Sequence, residues 1–153
     1  MCDIPIEVVG AEKIVRIVTV SHVNPSRTKL KPRAFRSRPG YDEVSVIRHT
    51  HRDAHFCKAK ALELVASSGI EYVGLAVLLV HRVRAVGSEV HDSREQFCGH
   101  AHISHGIMPG TPDEPLSPED NLTLDKRVEA LCSTAQYHKD PEPQAEHWAG
   151  AEL

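Results

Sequence analysis

The most apolar stretch of the chain, YVGLAVLLV at positions 72–80, predicts the central strand of a β-sheet. Such continuous apolarity is typical of a strand that is covered on both faces. Its nine residues are about half of the roughly 20 that a helix needs to cross a bilayer, so they do not predict a membrane span. Segments 14–20 and 44–51 are rich in β-branched residues and predict further strands.

Apolar residues at helical spacing predict two main helices. The first follows Asp53, a favourable N-cap, and ends at Gly69. Its buried stripe is predicted to hold Cys57, Ala61, Leu64 and Ser68, and its outer face Lys58, Lys60, Glu63 and Ser67. The second helix opens at Ser117 and Pro118. Its buried stripe is predicted to hold Leu124, Val128, Leu131 and Ala135.

The order of these elements predicts an α+β fold. We expect a mixed or mainly antiparallel sheet with two main helices, which form a single layer on one face. The 153 residues fit one domain, 1–153. Three segments without strong periodicity are predicted to be a basic loop at 26–39, a proline-rich loop at 108–118 and a C-terminal tail at 139–153.

Charge is distributed unevenly along the chain, although the net charge is only −3. From Thr111 onward there are ten acidic residues and three basic ones. The basic loop has no acidic residue, and its six basic residues are Arg27, Lys29, Lys31, Arg33, Arg36 and Arg38. These side chains are candidates for contacts with the phosphates of a nucleic acid or of a small anionic substrate. Alternatively, the loop is solvated and pairs with the acidic end of its own chain.

The four cysteines, Cys2, Cys57, Cys98 and Cys132, form no CxxC pair and are expected to be reduced thiols. Cys57 lies on the predicted buried stripe. Cys98 precedes a glycine and lies two residues before His100, so it is either the most reactive thiol or a small hydrophobic residue in a loop. The N-terminal residues lack the basic and apolar regions of a secretory signal, which predicts a cytoplasmic protein.

Two His-x-His segments are the main candidates for chemistry in this chain of eleven histidines. One contains His49 and His51, and the other contains His100 and His102. On a strand, residues i and i+2 point to the same side, so each segment would present two imidazoles together. Ser104 would join the side of His100. If the two strands are neighbours, four imidazoles converge.

Converging imidazoles suit a divalent metal such as zinc or iron, because three protein ligands and a water form a catalytic site. The candidate ligands are His49, His51, His100 and His102, with Cys98, His105 and His55 as additional ones. A metal-free site is the alternative. There, one imidazole acts as general acid or base and Arg48 stabilises a phosphate. The candidate catalytic residues are His100, His102, His49, Arg48 and Ser104.

The segment VIRHT at 46–50 is followed by a predicted helix, an apolar strand, RVRAVG and GHAHI. This order loosely resembles the layout of ADP-ribosyl and RNA 2′-phosphotransferase folds. The resemblance implies that Arg48 holds a phosphate of a bound dinucleotide.

The sequence therefore predicts a small enzyme with a histidine-centred site, a hydrolase or a transferase, with or without a divalent metal. A phosphoester, nucleotide or other anionic substrate is expected. The alternative is a non-catalytic module in which the histidines bind a structural metal or line a protein interface. No glycine-rich phosphate loop of the GxGxxG or GxxxxGK[ST] type occurs, so ATP or NAD binding through those loops is not predicted.

Overall fold

A six-stranded antiparallel sheet runs through the centre of the computed structural model, which describes residues Met1–Leu153. The strands are β1 (Lys13–Thr19), β2 (Val44–Arg48), β3 (Tyr72–Leu79), β4 (Glu89–Asp92), β5 (His100–Ser104) and β6 (Gln136–Lys139). The helices are α1 (Ala54–Ser68), α2 (Val80–Ala85) and α3 (Pro118–Thr134), and short 3-10 turns occupy Val20–His22 and Pro32–Phe35. In space the strands follow the order β4, β5, β2, β1, β3, β6.

The predicted α+β fold with a mainly antiparallel sheet is confirmed, since every neighbouring pair of strands is antiparallel. β3 is buried along almost its whole length and pairs with β1 from Lys13↔Leu79 to Thr19↔Tyr72. The apolar run ends in the short helix α2 because the chain turns at Val80. No helix combines the length and the apolar character that a bilayer crossing requires.

The two main helices lie on opposite faces of the sheet, not in the single layer that we expected. Ile14 and Val18 of β1 belong to the same core cluster as Leu124 of α3. Val15, which points the other way, belongs to the cluster that contains Cys57 of α1. A strand that is apolar on both sides needs a cover on both, and one helix supplies each cover.

The ends of α1 are as predicted, but its buried face is shifted. The Asp53 carboxylate accepts a hydrogen bond from the Phe56 N–H at 2.8 Å, and Gly69 ends the helix with a φ of 71°. Leu64, predicted to be buried, is 36% exposed, and Ser68 is also exposed. Lys58, Cys57 and Ala61 are the buried residues of the helix.

The C-terminal tail explains the burial of Lys58. The ammonium group of Lys58 forms an ion pair with Asp140, and it donates to the backbone oxygen of Glu142 at 2.9 Å. The hydroxyl of Tyr72 donates to Asp140 at 2.7 Å. Further along the tail, Trp148 packs in the cluster beneath α1. The tail is therefore part of the core on this face.

Strands β1 and β2 pair over only two positions, Ile14↔Arg48 and Val15↔Ile47. Beyond them, the side chain of Arg16 connects the strands. Its Nη1 donates to the Ser45 backbone oxygen at 3.1 Å, and its Nε donates to the Ala34 oxygen at 2.9 Å. The sheet thus has a gap next to Arg16, and cavities open there.

Candidate functional site

His49 and His51 lie in the turn after β2, because the strand ends at Arg48. The rule that residues i and i+2 of a strand point to the same side therefore does not apply to His49 and His51. The Nδ1 atom of His49 is 2.9 Å from the backbone oxygen of Arg52, and the Nε2 atom of His51 is 3.5 Å from a carboxylate oxygen of Glu12. The two imidazoles are thus held by different neighbours.

His100 and His102 lie on β5 and share one face, as predicted. The Nδ1 atom of His100 is 2.5 Å from Ser93 Oγ, and the ring of Phe97 packs edge-on against the imidazole. His102 lies opposite His91 of β4, with 5.5 Å between ring centroids. Each of the four imidazoles thus has contacts of its own, and they do not form a metal-binding group.

The additional metal-ligand candidates are also engaged elsewhere. His105 is fully buried between Ser88 Oγ and the Phe35 backbone oxygen, at 2.7 Å from each. His55 accepts a hydrogen bond from the Trp148 N–H at 3.5 Å. No group of three or more histidine, cysteine, aspartate and glutamate side chains is arranged to hold a metal ion. These residues do not fit the zinc or iron centre that we considered.

Cys98 forms a disulfide with Cys2, across 96 positions of sequence. The expectation of four reduced thiols is therefore wrong for Cys2 and Cys98, because the N-terminal segment passes beside the start of β5. Cys57 and Cys132 are free. Burial raises the pKa of the Cys57 thiol to about 12, as its place on the buried face of α1 suggests.

Arg48 is a buried structural residue. It donates to Glu12 at 2.9 and 2.6 Å, to Asp92 at 2.7 Å, and to the backbone oxygens of Pro5 and Glu7. These contacts occupy all five N–H donors of the guanidinium. Burial opposes the charge of Arg48, yet the bonds to Glu12 and Asp92 hold its pKa above the usual value. Arg48 therefore has no donor left for the phosphate that the sequence assigned to it.

Ser104 also has a structural contact. Its hydroxyl donates to Asp42 at 2.6 Å, and the same carboxylate accepts the backbone N–H groups of His105 and Gly106 at 2.8 and 2.9 Å. Asp42 thereby fixes the chain where it leaves β5. The hydroxyl of Ser104 is thus engaged by a carboxylate and not by one of the candidate histidines.

Of the predicted catalytic residues, His100 lines a groove between α1 and the sheet, with a volume of about 460 Å³. Ile17, Ile47 and Phe97 supply apolar parts of its wall. Burial lowers the pKa of His100, although a backbone hydrogen bond near Ser93 acts in the opposite direction. The imidazole is therefore largely neutral at pH 7 and can accept or donate a proton in the groove.

A second, larger cavity has a volume of about 1050 Å³. Arg16 and Ser45 line both this cavity and the groove. Residues of the basic loop, of the proline-rich loop and of α3 form its walls. The cationic residues of the lining are Arg16, Arg33, Arg36 and Arg38, and we call this space the arginine cavity.

The arginines of this cavity differ in how they are compensated. Arg36 forms an ion pair with Asp125 at 2.6 Å, and the guanidinium of Arg38 lies 3.9 Å above the ring of Tyr41. Arg16 and Arg33, like Arg38, form no ion pair with any carboxylate of the chain, and neither of them stacks on an aromatic ring. Burial lowers the pKa of Arg16 to about 10, so it is still a cation at neutral pH.

His22 is a neutral hydrogen-bond donor beside these two cations. Its Nδ1 accepts the Thr19 backbone N–H at 3.2 Å, so the ring proton resides on Nε2. Burial lowers the pKa of His22 to about 3, and the positive charges of Arg16 and Arg33 contribute to the decrease. The imidazole lines the cavity as an uncharged N–H donor.

Ser37 supplies a hydroxyl group without a partner. The residue lines the arginine cavity and is only 4% exposed, and its Oγ makes no hydrogen bond within the protein. A buried polar atom in this state costs about 1–3 kcal/mol. A ligand atom that bonds to Ser37 would remove that cost.

The sequence indicated part of this cavity. Its lining includes Arg33, Arg36 and Arg38 of the basic loop. Of these three, only Arg36 forms the predicted pair with the acidic end of the chain. Arg16 lies within an apolar strand pattern, and no motif in the sequence marks His22 or Ser37 as binding residues.

The chain matches no model of a protein family, no curated protein and no solved structure. A function is therefore inferred from the residues of the cavity.

Proposed function

We propose that this protein binds a small phosphorylated molecule in the arginine cavity. One observation carries the proposal: Arg16 and Arg33, which have neither a carboxylate nor an aromatic partner, share a cavity with a buried serine hydroxyl that has no hydrogen-bond partner. The phosphoryl group is held by Arg16, Arg33, His22 and Ser37.

The chemistry of these four side chains suits a phosphate. A guanidinium offers paired N–H donors that match two phosphate oxygens. Arg16 uses one N–H on Ala34 and one on Ser45, which fixes its orientation and leaves three donors for a ligand. His22 and Ser37 each add one uncharged donor. An anion bound there would pair with two arginines that form no ion pair within the protein.

Titration calorimetry with inorganic phosphate at low salt tests the proposal. Arg33→Gln is the informative variant, because Arg33 is exposed and its side chain makes no hydrogen bond within the protein. Loss of a charged donor costs about 1.5–3 kcal/mol, so we expect binding to weaken about tenfold or more. Lys29→Gln, in the same loop but outside the cavity, is the matched control and leaves affinity unchanged. Absence of phosphate binding by the unmodified protein at millimolar concentration would refute the proposal.

A second candidate is acid–base catalysis by His100, as the histidine-centred enzyme predicted from the sequence would require. It is supported by the position of Ser93 at 2.5 Å from Nδ1, which orients the ring, and by the lack of any hydrogen-bond partner at Nε2 in the groove. The test is phosphoester hydrolysis by the unmodified protein and by His100→Ala. Equal rates in the two proteins would exclude this role.

A further inference from the structure

We infer that the ligand of the arginine cavity is a monophosphate with a polyhydroxyl body, such as a sugar phosphate, and not a nucleotide or a nucleic acid. The inference rests on the proposed function of the cavity. It is drawn from the residues that face the cavity beyond the four phosphate donors.

The remaining wall of the cavity is rich in acceptor groups. Glu43 and Glu129 line it, and neither carboxylate takes part in an ion pair. Asn121 lies on α3 one turn before Asp125, and it accepts a hydrogen bond from Arg36 at 3.3 Å, which leaves its N–H₂ group free. Carboxylates accept hydrogen bonds from hydroxyl groups, and the amide donates to them. This wall therefore matches a ligand body that carries several hydroxyls.

The charge of the cavity fits one phosphoryl group. Four arginines face three carboxylates, Glu43, Asp125 and Glu129, and His22 is neutral. The lining therefore carries one more positive charge than negative charges, which a single phosphoryl group is enough to neutralise. A second phosphate would have to lie against the acidic wall, where like charges repel. A bisphosphate or the backbone of a nucleic acid is disfavoured for this reason.

The cavity also lacks a slot for a flat base. Apart from prolines, its hydrophobic lining consists of Tyr41, Leu116 and Val128. One face of the Tyr41 ring is already covered by Arg38 at 3.9 Å. Phe35, the aromatic residue of the basic loop, is fully buried in the core. Stacking of bases on aromatic rings is the usual basis of single-stranded nucleic-acid binding, and the cavity does not provide it.

Calorimetry with five probes separates these ligand classes: inorganic phosphate, glucose 6-phosphate, glucose, AMP and a short single-stranded DNA, all at one ionic strength. Two or three additional hydrogen bonds are worth about 1.4 kcal/mol or more together, so glucose 6-phosphate should bind about tenfold more tightly than inorganic phosphate. AMP and the DNA should show no such gain. Glucose alone should bind too weakly to measure.

The double variant Glu43→Gln/Glu129→Gln tests the acidic wall. It should lose most of the preference for glucose 6-phosphate over inorganic phosphate, because an amide is a weaker acceptor than a carboxylate. Glu119→Gln, also exposed on α3 but outside the cavity, should keep the preference. Equal affinity for glucose 6-phosphate and inorganic phosphate, or tighter binding of AMP or DNA, overturns the inference and leaves the phosphate site standing. Failure of inorganic phosphate to bind removes both.

Discussion

The backbone N–H of Thr19 donates to Nδ1 of His22 across 3.2 Å, and this contact sets the protonation state of the imidazole in the arginine cavity. A second proton would have to replace an accepted hydrogen bond, in a partly buried position beside Arg16 and Arg33. His22 therefore stays neutral in the folded protein over the physiological pH range. Because His22 is neutral when folded and takes up a proton more readily when unfolded, the free energy of unfolding depends on pH.

We predict that the protein loses stability as pH falls below about 6.5, the ordinary pKa of histidine. Burial lowers the pKa values of His22, His100, His105 and His138. In the unfolded chain these imidazoles bind protons below pH 6.5, and in the folded protein they do so at lower pH. The unfolded state then holds more protons than the folded state, so the free energy of unfolding decreases as the pH is lowered. For His22 this decrease continues down to its folded-state pKa of about 3.

Urea unfolding between pH 4 and pH 8 measures this dependence. For each histidine the slope is at most about 1.4 kcal/mol per pH unit. The His22→Gln variant should have a shallower profile in this range. His147→Gln, an exposed control in the tail, should have the profile of the unmodified protein. A profile that is flat between pH 4 and pH 6 would contradict the lowered pKa values of these histidines.

Replacing Ser37 with alanine should change stability and affinity in opposite directions. The hydroxyl is buried without a partner, so its removal should leave the free energy of unfolding unchanged or raise it by about 1 kcal/mol. Phosphate affinity should decrease, since the cavity loses one donor. Thermal unfolding and calorimetry on one preparation test both. A variant that is clearly less stable than the unmodified protein would show that Ser37 already has a partner.

His100→Ala should leave phosphate binding intact, because His100 is not in the wall of the arginine cavity. The variant loses the contact with Ser93 and should be destabilised by about 1 kcal/mol. Calorimetry with inorganic phosphate measures the first effect, and urea unfolding measures the second. A large loss of phosphate affinity would place the binding site in the histidine groove instead.

Replacing Arg48 with methionine should destabilise the protein by about 3–5 kcal/mol, because the buried carboxylates of Glu12 and Asp92 lose their partner. The control is Arg27→Met. Arg27 pairs with Glu71 on the surface, at 2.5 Å, and solvent screens such an exposed pair, so its loss should change stability much less. Urea unfolding compares the two variants. Similar losses in both would mean that Arg48 is not the buried centre of its cluster.

Thiol titration of the unfolded protein, without reductant, should detect two free cysteines, Cys57 and Cys132. After reduction it should detect four. Cys98→Ser should lower the free energy of unfolding by about 2–4 kcal/mol under oxidising conditions, since the disulfide with Cys2 closes a long loop. The same change at Cys132 controls for the substitution. Four free thiols before reduction would rule out the disulfide.

Sequence patterns predicted the elements whose signals are local. The β-branched and apolar runs marked β1, β2 and β3, and the caps at Asp53 and Ser117 marked the starts of α1 and α3. The α3 stripe is buried at Leu124, Val128 and Leu131 as its spacing indicated. Helical periodicity and capping depend on residues a few positions apart, so they can be recognised without the fold.

The sequence alone determined an α+β chain with a basic loop, and it placed His100 and His102 on one face of a strand. Only the tertiary structure decided what each side chain meets. The tail buries Lys58, and the N-terminal residues up to Glu12 together with Asp92 use all the donors of Arg48. The gap between β1 and β2 brings Arg16 to the cavity. These contacts join residues from about 30 to more than 80 positions apart. Their partners depend on how distant segments pack, which no short pattern records.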